Sequence, residues 1–207
     1  MNIDLDYLAT IPKAHPNATS VRWGCAFDGR QMALVGYLTE PNGNWNKIDS
    51  SFNLVQDDQA VVFYSVLIPG CTITRAVVVL DAISRAITVR GLTLYVEGTL
   101  GRNEVFIRRL HKTTAHRVKL FREAQGLWFD QVEVIAGIAD DQDTGQIQLS
   151  PAFKNRPEKV LLDEATGVIE DDVKMNPLQS AFVYGLGHWS CKERRRKFSM
   201  GRGPRFW

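Results

Sequence analysis

Residues 94–110, LYVEGTLGRNEVFIRRL, contain the change of hydrophobic period on which the fold prediction depends. The residues before Gly98 are mostly β-branched, aromatic or aliphatic and alternate only in part, which is typical of a strand buried mainly on one face. Asn103 then offers a helix cap, and Glu104 a favourable charge for the first turn. A stripe at helical steps of three and four follows and predicts a helix. Its members are Ile107, Leu110, Thr114, Val118 and Phe121.

The chain on either side of this stretch completes an α+β pattern. Before it, β-branched and aromatic runs are separated by turn residues such as Asp28-Gly29 and Pro69-Gly70. After it, Gly126 ends the helical pattern and residues 127–138 predict a further strand, followed by a polar, turn-rich segment. The simplest interpretation is one α+β domain. The earlier predicted strands are 21–27, 31–38, 60–68, 72–80 and 87–96.

Composition excludes several classes of protein. The chain has 207 residues, of which 44% are hydrophobic and 23% charged, so wholesale disorder is excluded. No apolar run approaches the length of a transmembrane helix, and the acidic first residues lack the basic start of a signal peptide. Three widely spaced cysteines, Cys25, Cys71 and Cys191, do not suggest a disulfide scaffold. We therefore expect a soluble cytoplasmic protein.

The small net charge of +2 conceals a strong segregation of charge along the chain. Residues 1–97 carry a net charge of −2 and residues 123–191 a net charge of −8, whereas 98–122 and 192–207 each carry +6. Lysine and arginine gain free energy by displacing counterions from phosphates, so two compact basic blocks favour a polyanionic partner. The alternative is that these residues form solvated faces or pair with the acidic segment.

The candidate RNA-binding residues come from these two blocks. In the second block, aromatic side chains offer faces for base stacking, and glycines allow close approach to a phosphate. A basic tail that is disordered or that docks on a partner subunit is the competing interpretation. The candidates are Arg108, Arg109, Lys112, His116, Arg117, Lys119, Arg122, Gly126, Arg194, Arg195, Arg196, Lys197 and Arg202.

Metal and nucleophile motifs are weak, so neither a metal site nor a cofactor is predicted. His188 and Cys191 have ligand-like spacing, but no second pair completes a zinc site. The acidic run that begins at Asp140 lacks the glycine and glutamate expected of a calcium loop. His111 and His116 lie among basic residues and could act as acid or base in RNA cleavage, although contact with phosphate or solvent is the simpler interpretation.

Residues 94–110, together with 119–134, KLFREAQGLWFDQVEV, resemble the RAMP superfamily of CRISPR effector subunits. The similarity lies in the order of strand, glycine, helix, basic glycine loop and strand. It is greatest to the small subunit that caps the 5′ handle of the guide RNA in type IV systems. The resemblance implies a ferredoxin-like (RRM-like) core with strand-rich insertions and a basic C-terminal tail, 192–207, in a single RNA-binding domain, 1–207.

In function, the resemblance implies a non-catalytic subunit of an antiviral ribonucleoprotein, with single-stranded guide RNA and other effector subunits as partners. Arg117, Lys119, Arg122 and Gly126 would line the RNA handle, and the tail arginines would face RNA or a neighbouring subunit. Two alternatives remain open: a β-rich viral coat or movement protein that binds genomic RNA, and a processing endoribonuclease that uses His111 or His116.

Overall fold

The computed structural model describes residues 3–48, 54–87, 92–96, 104–113, 116–120, 131–154 and 176–187. The strands are β1 (Ser20–Phe27), β2 (Gln31–Ile48), β3 (Leu54–Pro69), β4 (Thr93–Val96), β5 (Arg117–Leu120) and β6 (Ile147–Lys154). The helices are α1 (Leu5–Ala14), α2 (Ile73–Ala86), α3 (Glu104–Thr113), α4 (Gln131–Asp143) and α5 (177–187).

The six strands form one mixed sheet in the order β5-β4-β1-β2-β3-β6. Strands β1, β2 and β3 form an antiparallel meander, whereas β4 pairs parallel with β1, β5 with β4, and β6 with β3. All strands except β2 therefore run in the same direction. Their carboxyl ends share one side of the sheet, which we call the carboxyl edge.

Three helices cover one face of the sheet, which we call the apolar face. Trp23 lies at its centre, fully buried, with its ring edge-on to Phe63 at 5.4 Å between ring centroids. α1 contributes Tyr7, whose hydroxyl donates to the Phe63 carbonyl at 2.7 Å. α2 and α3 contribute further buried apolar side chains to the same cluster, including Leu80 and Phe106. This face supplies most of the buried apolar area and hence most of the stabilisation.

On the opposite face, which we call the α5 face, helix α5 crosses β1 at very short range. The Cα of Gly24 lies so close to the helix that a Cβ built there would lie 1.7 Å from the carbonyl oxygen of Ala181. Gly185 packs in the same way against Gly24 and the ring of Tyr37. The Tyr37 hydroxyl donates to the Gly185 carbonyl at 2.8 Å. Glycine at both positions allows this crossing.

Local sequence explains where the helices begin. The Thr72 hydroxyl accepts from the Arg75 amide and caps α2, directly after Gly70 turns the chain with φ +60°. At the start of α5, the Asn176 side chain accepts from the amides of Leu178 and Gln179, and the Gln179 side chain accepts from the Asn176 amide. This reciprocal pair is a capping box. None of the helices within the described ranges is long and apolar enough to cross a membrane.

The predicted ferredoxin-like core is wrong. That core has the order strand, helix, strand, strand, helix, strand, whereas here three antiparallel strands come first and the parallel pairs follow. The segment 72–80 was expected to be a strand but forms the first half of α2, and α4 occupies much of the predicted strand 127–138. Parallel pairs also exclude the antiparallel jelly roll of a coat protein.

Other parts of the prediction are confirmed. The structure places strands over 21–27, 31–38 and 60–68, and Asp28-Gly29 forms the turn between β1 and β2. The predicted helix beginning at Glu104 is α3, but it ends at Thr113, and Val118 of the predicted helical stripe lies in strand β5. The expected strand 87–96 is reduced, among the described residues, to the four residues of β4.

The crossing of α5 over β1 predicts a large effect of adding a methyl group at Gly24. We expect Gly24→Ala to lower the free energy of unfolding by about 3 kcal/mol or more, the upper end of overpacking costs, because backbone atoms of α5 obstruct the methyl group. Gly43→Ala is the matched control, since nothing lies within 4 Å of a Cβ built there. Urea unfolding of both variants measures the difference. Equal stabilities would contradict the close crossing.

Candidate functional site

The carboxyl edge at β1 and β4 is where polar groups follow two adjacent parallel strands. Cys25 of β1 lies opposite Val96, the last residue of β4. Asp28 comes directly after β1, and Glu97 comes directly after Val96 in sequence, although Glu97 itself lies outside the described residues. In sheets with parallel strands, ligands commonly bind beyond the carboxyl ends of those strands. This edge is therefore a candidate ligand-binding site.

Asp28 stabilises the turn between β1 and β2. Its Oδ1 accepts from the amides of Arg30 and Gln31, both at 2.8 Å, and its Oδ2 accepts from the Gln31 side-chain amide at 3.2 Å. Burial opposes ionisation, but these hydrogen bonds outweigh it and lower the pKa of Asp28 below its ordinary 3.8. The carboxylate is thus ionised at neutral pH, and most of its acceptor positions are used by the turn.

A polar cluster lies on the α5 face beside the crossing of α5. Arg22 of β1 is half-buried, and its Nη1 donates to the Tyr95 hydroxyl at 3.2 Å. Burial, and to a smaller extent the neighbouring Tyr95, raise the pKa of Tyr37 well above its ordinary value, while Arg22 opposes that shift. Both tyrosines are therefore neutral hydrogen-bonding groups at neutral pH. They position the guanidinium of Arg22.

The first basic block is divided between the two faces of the sheet. α3 belongs to the apolar face, since its Phe106 and Leu110 join that cluster, and it carries Arg108, Arg109 and Lys112 at its surface. Arg108 forms an ion pair with Glu104 one turn earlier. Arg117, in contrast, pairs in register with Thr93 of β4, and Thr93 pairs in register with Arg22 of β1. Arg117 therefore belongs to the α5 face. The described residues of this block do not form one continuous surface.

His116, a candidate for RNA contact or catalysis, is buried and has a structural role. Its side chain is only 2% exposed, and its Nδ1 accepts from the Leu92 amide at 3.2 Å. Its Nε2 lies 3.4 Å from Asp81 Oδ1, which ties β5 to α2. His111 is exposed on α3, on the apolar-face side. The structure does not place the two histidines in a common site.

Several candidates have no described side chain. Lys119 pairs in register with Tyr95, but its side chain is not described. The other candidates lie outside the described residues, so their assignment stays a prediction. They are Arg122, Gly126, Arg194, Arg195, Arg196, Lys197 and Arg202, and the same holds for His188 and Cys191.

Sequence analysis missed Arg22, Tyr37 and Tyr95. One signal was present, because Arg22 is the single charged residue in the otherwise apolar or small strand β1. A charge in such a strand must reach solvent, a partner or a ligand. Its neighbours on the α5 face, Tyr37 and Tyr95, are brought there by the pairing of strands that are distant in sequence. A local sequence pattern does not predict such a pairing.

The comparisons with known proteins find similar solved structures but no matching sequence family. No protein-family model matches the chain, and no curated protein is detectably similar to it. The nuclease domain of the large terminase of bacteriophage SPP1 has a TM-score of 0.49 at 11% identity, over 84% of this chain and 88% of that one. The human cytomegalovirus terminase nuclease domain has a TM-score of 0.46 at 10% identity, over 92% of each chain. Thermus thermophilus RuvC has a TM-score of 0.39 at 10% identity, over 86% of this chain and 98% of that one.

The strand order defines the architecture of the described residues. An antiparallel meander is followed by helix α2, by strand β4 parallel to β1, by helix α3 and by strand β5 parallel to β4.

The resemblance to the RAMP superfamily is therefore wrong. Its residues, 94–110 and 119–134, overlap β4, α3 and β5, but β4 and β5 belong to a sheet with a different strand order. The expectation of a non-catalytic, non-enzymatic subunit that caps CRISPR guide RNA depended on that resemblance and is withdrawn with it. The matched structures are nuclease domains and RuvC, not RAMP subunits.

The burial of His116 predicts a pH dependence of stability. Burial lowers the pKa of His116 below its ordinary 6.5, against the opposing effect of Asp81. Since the unfolded chain then takes up the proton first, stability is complete above about pH 6.5 and falls as the pH drops below it. His116→Gln should flatten this slope in urea unfolding measured from pH 7.5 down to 5, whereas His111→Gln should keep it. A wild-type slope in His116→Gln would contradict the assignment.

Proposed function

We propose that this protein is a nuclease that cleaves the phosphodiester backbone of nucleic acid at the carboxyl edge of β1 and β4. The observation that carries the proposal is the parallel pairing of β1 with β4, which ends at Val96 opposite Cys25. Glu97 follows Val96 by one peptide bond, so the sequence supplies a carboxylate directly after β4. Because one fold hosts many functions, the proposal depends on these residues and not on the fold alone.

The charge of the neighbouring segments supports a polyanionic substrate. Residues 98–122, which include α3 and β5, carry a net charge of +6. Arg117 of this segment and Arg22 of β1 belong to the α5 face of the sheet. Positive charge of this kind attracts a phosphate backbone independently of its sequence.

A carboxylate at this edge can accept a proton from the water that attacks phosphorus. The P–O bond to one sugar oxygen then breaks, and that oxygen leaves with a proton taken from solvent. General-base catalysis of this kind contributes about 100- to 10,000-fold to a rate. Glu97 is assigned this role. Asp28 is assigned a structural role in the turn between β1 and β2, because its oxygens already accept three hydrogen bonds there.

Manganese is named in the descriptions of the SPP1 domain and of a second cytomegalovirus terminase structure. In the described part of this chain, no group of three or more His, Cys, Asp or Glu side chains could hold a metal ion. On the α5 face of β1, the residues are Arg22, Gly24 and Ala26, which offer no carboxylate. The described residues therefore do not fit a metal centre by themselves. The cleavage test below accordingly compares reactions with Mg²⁺, with Mn²⁺ and with EDTA.

A cytoplasmic location is part of the proposal. Cys25 and Cys71 are buried free thiols, which suits a reducing compartment.

Replacing Glu97 tests the proposed nuclease. The purified chain is incubated with supercoiled plasmid, single-stranded DNA and single-stranded RNA, each with Mg²⁺, Mn²⁺ or EDTA. We expect cleavage of at least one substrate, and we expect Glu97→Gln to lower the single-turnover rate about 100-fold or more.

Glu104→Gln is the matched control, because it also removes one carboxylate but lies on α3 in an exposed ion pair with Arg108. It should keep the wild-type rate. Absence of cleavage under every condition, or an unchanged rate in Glu97→Gln, would refute the proposal.

A further inference from the structure

Four residues form one row across the α5 face of four adjacent strands. Tyr37 of β2 lies opposite Arg22 of β1, Arg22 opposite Thr93 of β4, and Thr93 opposite Arg117 of β5. Residues paired in register present their side chains on the same side of a sheet. The row therefore places two arginines on one face, separated by a single strand.

Neither arginine has an acidic partner within the described ranges. The ion pairs there join His15 to Glu40, Glu104 to Arg108 and His116 to Asp81. The Arg22 guanidinium donates to the neutral Tyr95 hydroxyl at 3.2 Å and also interacts with the neutral Tyr37 hydroxyl, and Arg22 is half-buried. A partly buried cation without an anionic partner is unfavourable unless an anion reaches it.

Tyr95 lies on β4, the strand between those that carry the two arginines, and Arg22 donates to its hydroxyl. Burial raises the pKa of Tyr95, while the charges of Arg22 and Arg117 each oppose that shift. The Tyr37 ring, held through its hydroxyl by Gly185 of α5, closes one end of the row, and exposed Arg117 leaves the other end open.

The spacing of the row suits a phosphate backbone. Neighbouring strands are about 4.8 Å apart, so the backbones at Arg22 and Arg117 are separated by about 10 Å. Flexible arginine side chains can close that distance to reach nearby phosphates, and the planar guanidinium matches phosphate oxygens in pairs. Thr93, between them, adds a hydroxyl donor.

We propose that Arg22 and Arg117 form a phosphate-binding row that holds the nucleic-acid backbone across β1, β4 and β5. This inference rests on the proposed function and names the part of the site that binds its substrate. Thr93 and Val96, the last residue of β4, are three residues apart, which along a strand is about 10 Å. The row thus lies a short way from the carboxyl edge and positions the backbone for reaction there.

Measuring binding under conditions that prevent cleavage separates the role of this row from the catalytic step. A short labelled oligonucleotide, single-stranded or duplex, is titrated in EDTA by fluorescence anisotropy over a series of NaCl concentrations. We expect Arg117→Gln to reduce the slope of log affinity against log salt by about 0.7 on the single strand or about 0.9 on the duplex. Adding Arg22→Gln should double the reduction.

Two further variants provide controls. Arg75→Gln removes the same charge from an exposed position on α2, on the opposite face, and should keep the wild-type slope. Arg22→Lys keeps the charge and should keep the slope, even though its contact with Tyr95 is altered. Unfolding curves identify any variant that has lost its fold. Because Arg117 is exposed, we expect Arg117→Gln to stay folded, so this variant still tests the row if Arg22→Gln unfolds.

The outcomes separate the two proposals. Wild-type binding with the expected slopes but without cleavage would support the row and refute the nuclease. Cleavage with wild-type slopes in Arg117→Gln and in the double variant would refute the row and leave the nuclease standing. Failure of the wild-type chain to bind either oligonucleotide at low salt would refute the row.

Discussion

The contact between the backbones of α5 and β1 is the constraint on which the α5 face depends. A helix can approach a strand this closely only where both lack side chains, and Gly24 and Gly185 meet at that point. The approach brings the Gly185 carbonyl within reach of the Tyr37 hydroxyl, which donates to it. Tyr37 in turn lies beside Arg22 in the next strand. A helix held at ordinary distance would leave that hydroxyl without this acceptor, and the arginine without a fixed neighbour.

The two faces of the sheet have different physical roles. On the apolar face, α1, α2 and α3 bury a continuous cluster around Trp23, which provides hydrophobic stabilisation. On the α5 face, apolar packing covers β2, β3 and β6, and polar side chains lie over β1 and β4. Stability is thus supplied mainly on one side, so the other side can carry groups whose burial is costly.

Local patterns were sufficient for the elements whose periodicity is simple. The strands of the meander alternate or are apolar throughout, and α3 has an acidic first turn and an apolar stripe, so both were predictable. α2 was missed because a run of valines outweighed the helical spacing of Ala76, Val77, Leu80 and Ile83, although Thr72 was a recognisable cap. The start of α5 carried a clearer signal, Asn176-Pro177-Leu178-Gln179, which combines a capping box with proline at the first helical position.

The order of the strands could not be predicted in this way, and it decides the site. Arg22 and Arg117 are brought together because β4 inserts between β1 and β5, a pairing that spans most of the described chain. A motif of about forty residues around β4 and β5 was compatible with a ferredoxin-like sheet and with this one. Only the partners of β4 distinguish the two, and they lie far away in sequence.

Charge illustrates the same limit and explains how the proposed site is arranged. A window of sequence identified 98–122 as basic, yet α3 lies on the apolar face whereas Arg117 of β5 belongs to the α5 face, and Arg22 comes from a segment whose net charge is −2. At the carboxyl edge, the ionised Asp28 repels a phosphate. The arginine row lies about 10 Å from Val96, the last residue of β4, which is close to the Debye length of about 8 Å at physiological salt. Cations at that distance keep part of their attraction for a phosphate, so they offset some of the repulsion from Asp28 at the edge.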